Sequence, residues 1–310
     1  MITNQPTEED FERVTIECLT QAFNLLFKVY QNYQEYDEDI HEDVEMGDIW
    51  NHNVGTIRTS TILLHQAVES FMKSVICRTS PLLLIEKNRA DWPTLPMKTN
   101  KDFDSLYTIS GESLVATFCA VESELIIDNK LIEFIEKIRQ NRNKSIHGAS
   151  NIEIKPTELL DDILNAFTYF FGRDKWFLHI TNFNLKNPLF GYYDWEFEDA
   201  ITYEFLDFVE SVIGRKKMNK HHETNIIGRR YHCPICKDTI DAEYGEMNSK
   251  WTFLHPNTPN SENVHCLNCD GNYKVTRENC TTESCKGNVI SFEEEVRYKF
   301  CLSCFQEQKE

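Results

Sequence analysis

The chain has 310 residues, of which 41% are hydrophobic and 12% aromatic, so it is long enough for about two globular domains with real cores. Its formal net charge of −18 is not typical of nucleic-acid-binding proteins, which are usually basic. The sequence shows no signal peptide, and no stretch approaches the roughly 20 apolar residues of a transmembrane helix. We therefore expect a cytoplasmic protein that does not enter a membrane.

The first two thirds of the chain predict an all-α domain over residues 1–214. Apolar residues recur at helical spacing, and proline or glycine residues separate the periodic segments. Strand signals are weak throughout this part. The predicted helices cover 7–34, 56–78, 82–88, 113–121, 124–146, 156–171 and 196–213, and Thr7 with Asp10 predicts a variant capping box at the start of the first.

Charge is distributed unevenly. Residues 35–48 carry eight acids and no lysine or arginine, which predicts an acidic loop. Residues 215–230 carry six lysines or arginines and one acid, and they predict a basic linker. This linker is either a solvated connection or a contact for phosphate groups.

The C-terminal residues 231–310 predict a double zinc-ribbon domain of short β-hairpins. Eight of the eleven cysteines lie here in four close pairs: Cys233/Cys236, Cys266/Cys269, Cys280/Cys285 and Cys301/Cys304. Two such pairs supply the four thiolates of a tetrahedral Zn²⁺ site. We therefore expect two structural Zn²⁺ ions per chain, in closed sites that do no chemistry.

The spacing leaves two questions open. Eight cysteines also form disulfide frameworks in secreted proteins, although a reducing compartment and the short intervals favour metal. The pairs are either combined sequentially, the first with the second, or interleaved as in RING-like domains. Sequential pairing is favoured because residues 280–304 make a compact unit by themselves.

A cation continues the apolar stripe of the helix predicted over 124–146. Leu131, Ile135 and Ile138 follow one another at steps of four and three, and the next position in step is Arg142. His147 follows five residues later, directly before a glycine. A surface arginine and a histidine that caps the helix are one explanation.

The string Arg142-Asn143-Lys144-Ser145-Ile146-His147 supports a second explanation, because it resembles the R-x(4–6)-H signature of HEPN domains. The upstream sequence HQAVESFMKSVI is similar to the helix that precedes this motif in the same superfamily. The resemblance covers about residues 55–175. It implies a helical bundle and, in many members, a metal-independent endoribonuclease whose two motifs meet across a homodimer.

The catalytic residues implied by the resemblance are Arg142 and His147, with Asn143 in support. Histidine titrates near neutrality and can serve as base or acid, and arginine offers fixed donors to phosphate. Upstream, Arg58, His65, Glu69 and Lys73 form one polar stripe at helical spacing. This stripe either faces solvent or places Glu69 beside the motif as a supporting carboxylate.

The resulting hypothesis is a HEPN-type endoribonuclease of a prokaryotic toxin or antiphage-defence system. Its expected partners are RNA, a second copy of the chain and a phage or host trigger protein. The zinc ribbons would recognise the RNA or the trigger, with Tyr231, Trp251, Phe253 and Tyr273 as candidates for stacking on bases. The alternative is a non-catalytic sensor or adaptor that binds nucleic acid or protein, which the charge of −18 favours.

Overall fold

The structure, a computed structural model, describes residues 1–35, 44–86, 92–93, 99–122, 127–147, 154–187, 195–237, 250–293 and 298–308. The chain divides into two compact units, Met1–Phe170 and Phe171–Glu310. The predicted combination of a mainly helical chain with a small C-terminal sheet is confirmed. Within the described ranges, no helix has both the length and the apolar character that crossing a bilayer requires.

The first unit consists of helices and one short parallel pair of strands. Strand β1 (Ile2–Thr3) pairs with β2 (Lys101–Asp102) and ties the N-terminus to the middle of the unit. The helices are α1 (Glu8–Gln34), α2 (Met46–His52), α3 (Val54–Thr79), α4 (Gly111–Val121), α5 (Asn129–His147) and α6 (Pro156–Phe171).

Helix α3 is the centre of this unit, and it packs against α1, α4 and α5. Its apolar face is fully buried, and Phe71 stacks on Phe170 with ring centroids 3.9 Å apart. The hydroxyl of Ser60 donates a buried hydrogen bond of 2.8 Å to the carbonyl of Ala22 on α1. Helix α1 begins with the predicted capping box, in which Thr7 and Asp10 satisfy each other's backbone amides.

Two local predictions in this unit were wrong in part. The acidic stretch 35–48 is not a loop throughout, because α2 begins at Met46; residues 36–43 lie outside the described ranges. The segment predicted as helix over 82–88 is a 3₁₀ turn at Pro81–Leu84, which the hydroxyl of Ser80 caps at the amide of Leu82. Residues 87 and 88 lie outside the described ranges.

The second unit contains more helix than the cysteine pattern predicted. It begins with α7 (Lys175–Leu185), which no sequence signal had indicated, and continues with α8 (Trp195–Ile213) and the short α9 (Arg215–Met218). Helices of the segment assigned from sequence to the N-terminal domain 1–214 therefore group with the zinc-ribbon residues. The division into domains that end at residues 214 and 230 remains a prediction, because it concerns which parts of the chain fold independently.

The sheet of the second unit is an antiparallel meander with the order β3-β4-β5-β6-β7. The strands are β3 (Thr252–Leu254), β4 (Asn263–Cys266), β5 (Asn272–Thr276), β6 (Ile290–Glu293) and β7 (Tyr298–Cys301). A small apolar core that includes Tyr231, Val264 and Leu302 lies beneath it. Such a core is too small to stabilise a domain alone, which is why metal sites are expected at its ends.

The basic segment 215–230 packs within this unit. Arg230 lies 4.0 Å above the ring of Trp251 and forms an ion pair with Glu210 of α8. Arg215 donates to the same carboxylate at 2.7 Å. Two of the six cations of this segment are therefore bound to a protein carboxylate. These two side chains are not part of a solvated linker.

Candidate functional site

The eight cysteine sulfurs come together in two groups of four. The first group contains Cys233, Cys236, Cys266 and Cys269, and the second contains Cys280, Cys285, Cys301 and Cys304. All sulfur atoms of a group lie within 4.8 Å of one another. This is the sequential pairing favoured by the sequence, and the interleaved pairing does not occur.

The distances within each group fit a tetrahedral metal ion. Zn–S bonds of about 2.3 Å place tetrahedral sulfurs about 3.8 Å apart. The Cys233–Cys269 distance is 3.8 Å, and in the second group Cys280–Cys304 and Cys285–Cys301 are 3.7 and 3.9 Å. A disulfide would need sulfurs about 2.05 Å apart, so the geometry favours a metal.

The backbone around the second group is shaped for sulfur ligands. The amides of Thr282 and Gly287 donate to the sulfurs of Cys280 and Cys285 at 3.4 and 3.3 Å. A Cβ atom at Gly287 would lie 2.6 Å from the sulfur of Cys301, so the close approach requires glycine. Desolvation opposes the thiolate of Cys280, but hydrogen bonds from Thr282 outweigh it and lower its pKa to about 6.

The first group is the more buried of the two. Cys233, Cys236 and Cys266 are buried, and Cys269 is exposed. The hydroxyl of Tyr273 lies 3.1 Å from the sulfur of Cys269. In both groups the residue after the last cysteine, Asp270 or Phe305, has a left-handed backbone, which lets the chain turn sharply around the ligands.

Three of the four aromatic residues considered for stacking on bases belong to the core, which is the commoner role of such residues in a small unit of this kind. Trp251 and Phe253 are fully buried and Tyr231 nearly so, while Tyr273 is partly buried. A zinc ribbon has little apolar material, and these rings supply most of it. The neighbouring histidines His232, His255 and His265 belong to neither sulfur group.

The HEPN-like motif lies at the C-terminal end of α5. Leu131, Ile135 and Ile138 are buried as predicted, and Arg142, the next position in step, is half-buried. Its guanidinium donates to the side-chain oxygen of Asn143 at 3.1 Å. His147 is the last residue of α5, and its side chain lies outside the described part of the structure, as do Gly148 and Ala149.

The polar stripe of α3 lies beside this end of α5. Burial lowers the pKa of His65, Glu69 opposes that effect, and the positive charges of Arg142 and Arg139 lower the pKa further. His65 and Glu69 are half-buried, so the stripe does not lie entirely in solvent. The charges of Glu69 on α3 and of Arg142 on α5 thus both act on His65.

Sequence reasoning missed Arg139 as a member of this polar cluster, and it did not predict that Arg58 of the stripe is partly buried. Arg139 contributes to the field at His65, while its guanidinium is held by Glu136 at 2.8 Å. The Nε atom of Arg58, on the same face of α3, is buried and has no hydrogen-bond partner among the described residues. Its position on the stripe was visible in sequence, but its burial depends on how α3 packs.

The pKa of His65 gives a testable effect on stability. Because its folded pKa lies below the unfolded value of 6.5, the unfolded chain binds the proton more tightly, and stability falls as the pH drops through 6.5. We expect His65→Gln to weaken this loss between about pH 8 and about pH 5. Urea unfolding of the full chain at several pH values, monitored by circular dichroism, measures the free energy of unfolding of both proteins.

His52→Gln is the matched control, because His52 is an exposed histidine of the same unit. An effect that His52→Gln shares with His65→Gln reflects the loss of a histidine in general and not the position of His65. An identical pH dependence for His65→Gln and the wild type would contradict the burial of His65.

Comparisons with protein-family models, with curated proteins and with solved structures find no match to this chain. The assignment of function therefore depends on the residues and geometry described above.

Proposed function

We propose that this protein is a metal-independent endoribonuclease of the HEPN type that acts in the cytoplasm in prokaryotic toxin or antiphage defence. The observation that carries the proposal is the cluster at the end of α5. Arg142 continues a buried apolar stripe, donates to Asn143, and, like Glu69 of α3, acts electrostatically on His65. A purely structural helix would favour an apolar residue at that position.

The chemistry assigned to this cluster is cleavage by the 2′-hydroxyl of the RNA itself. His147 would transfer the proton, as base for the 2′-hydroxyl or as acid for the leaving 5′-oxygen. Arg142 would neutralise the crowded phosphate, and Asn143 would position its guanidinium. Glu69 is a supporting residue that acts through the neighbouring polar groups.

The direct test is incubation of the purified full chain with RNA in EDTA. We expect cleavage over short times, products that end in a 2′,3′-cyclic phosphate, and no cleavage where the attacking nucleotide is 2′-deoxy. A requirement for Mg²⁺, or equal cleavage of DNA, would contradict the mechanism. The zinc ribbons serve in this proposal to recognise the RNA or a phage or host trigger protein.

A homodimer through the helical unit follows from the same mechanism. One chain offers a single His147, and the reaction needs both a base and an acid, so two motifs must form one site. The monomer has a mass of 36.5 kDa, and light scattering of the full chain should give twice that value. The dimer should persist after chelation of zinc, and a monomer at high concentration would remove the composite site.

A second candidate is a non-catalytic sensor or adaptor. The ribbon aromatics Tyr231, Trp251 and Phe253 are buried, and Arg215 and Arg230 are engaged by Glu210, so the second unit offers less to nucleic acid than the sequence indicated. Absence of RNA cleavage together with tight binding of a protein partner would favour this function.

A further inference from the structure

A cavity of about 360 Å³ lies inside the second unit, beside the first tetracysteine site. Its size falls within the range of small-molecule pockets. The N-terminal part of α7, residues 222–224, the β3–β4 hairpin and the turn between β4 and β5 form its walls. The residues used below are Arg173, Asp174, Lys175, Thr181, His222 and His255.

One wall of the cavity has the character of an anion site. Asp174 precedes the first turn of α7 in a left-handed conformation, and its side chain does not cap the helix. Its carboxylate instead accepts from the amide of Glu223 at 2.7 Å and pairs with Nδ1 of His222 at 2.5 Å. The side chain of Asp174 therefore leaves the first-turn amides of α7 uncapped, although its negative charge opposes the helix dipole there, and the exposed cations Arg173 and Lys175 flank this end of the helix.

Two buried polar atoms of the lining have no hydrogen-bond partner among the described residues. They are Nε2 of His222, whose side chain is 2% exposed, and Oγ1 of Thr181. The ring of His222 is fixed by Asp174 on one side and by an edge contact with Trp176 at 5.7 Å. A buried polar atom is costly unless something hydrogen-bonds to it, so this rigid imidazole favours a polar ligand.

The rest of the lining is suited to an organic ring. Phe177, Leu178 and Leu267 supply apolar surface, and the imidazole of His255 is held by Thr224 at 3.3 Å. The histidines do not make a metal site, because within the described ranges only the two cysteine groups bring three or more ligand atoms together. The carboxylates of Asp174, Glu223 and Asp270 at the same cavity oppose a highly charged anion.

We propose that this cavity binds a phosphomonoester attached to an organic ring, such as a nucleoside monophosphate. The phosphate lies at the N-terminus of α7 between Arg173 and Lys175, and the ring lies against Phe177 and Leu178. The same chemistry is present in a free nucleotide and at the 5′-phosphorylated end of an RNA. This site is separate from the RNA-cleaving cluster and does not depend on cleavage by the helical unit.

Calorimetry of the zinc-loaded full chain tests the proposal with adenosine and uridine 5′-monophosphates as probes. Both should bind more tightly than adenosine, inorganic phosphate or the triphosphate. Arg173→Gln combined with Lys175→Gln should weaken binding by about tenfold or more, since each removes a charge-assisted contact. Lys186→Gln, an exposed lysine at the other end of α7, should leave it unchanged.

Oligonucleotides distinguish the two sources of the ligand. Binding of a short RNA that requires its 5′-phosphate, with weak binding of free nucleotides, identifies an RNA end as the ligand. Tight binding of free nucleotides identifies a small-molecule site. No binding of any probe at millimolar concentration, equal binding of adenosine, or binding that survives the double substitution would overturn the proposal.

Discussion

Replacement of Arg142 or of His147 by alanine is expected to lower the rate of RNA cleavage by at least about a hundredfold, because each removes a group that acts on the reacting phosphate. The fold should survive both changes. Arg142 is half-buried and donates a hydrogen bond to its neighbour Asn143, whereas Leu131, Ile135 and Ile138 supply buried apolar contacts of α5. Single-turnover cleavage and circular dichroism measure the two effects separately.

Two controls match these substitutions. Lys130→Ala removes an exposed cation from the first turn of α5, and His52→Ala removes an exposed histidine from α2. Both should cleave at the rate of the wild type. Cleavage that survives Arg142→Ala and His147→Ala would show that the site lies elsewhere, and equal losses in the controls would point to a general effect of charge.

Loss of one zinc ligand is expected to unfold a large part of the second unit. Cys266 is fully buried, and structural Zn²⁺ contributes about 10–16 kcal/mol to the folding of small zinc domains. Cys266→Ser should lower the metal content from about two ions per chain to about one. Metal analysis by mass spectrometry and hydrogen exchange measure the loss of metal and of structure.

The loss of structure in Cys266→Ser should also reach α8, outside the strands. The indole of Trp251 donates to Asp207 of α8 at 2.9 Å, and Asn268 accepts from Thr202 at 2.5 Å, so α8 depends on the first zinc site for part of its packing. Residues 1–170 should stay folded. Cys119→Ala, an exposed cysteine outside both groups, is the control. One ion or fewer in the wild type, or disulfides among the eight cysteines, would contradict the assignment.

Local patterns predicted most of the first unit. The spacing of Leu131, Ile135 and Ile138 gave the buried face of α5, and the capping box placed the start of α1. Helix α2 was missed because eight acids dominate the stretch that leads into it. Helix α7 was missed because its buried residues Trp176, Phe177 and Ile180 are too few to establish a helical period by themselves.

The metal sites were predictable and the cavity was not. The spacing of paired cysteines is enough to predict a metal site, since both ligands of a pair lie on one turn. The partners Asp174 and His222 are 48 residues apart, and only the fold brings them together. The same limit applies to His65 and Arg142, whose proximity depends on the packing of α3 against α5.

The carboxylate of Glu210 has a consequence for the way this protein would respond to salt. Binding to RNA displaces condensed counterions, and the logarithm of the binding constant falls with the logarithm of salt concentration by about 0.7 for each phosphate neutralised on a single strand. Arg215 and Arg230 share the carboxylate of Glu210, so one of their two positive charges is already neutralised within the protein. A salt titration would therefore register at most five of the six positive charges of residues 215–230, and the slope would be shallower than the sequence composition implies.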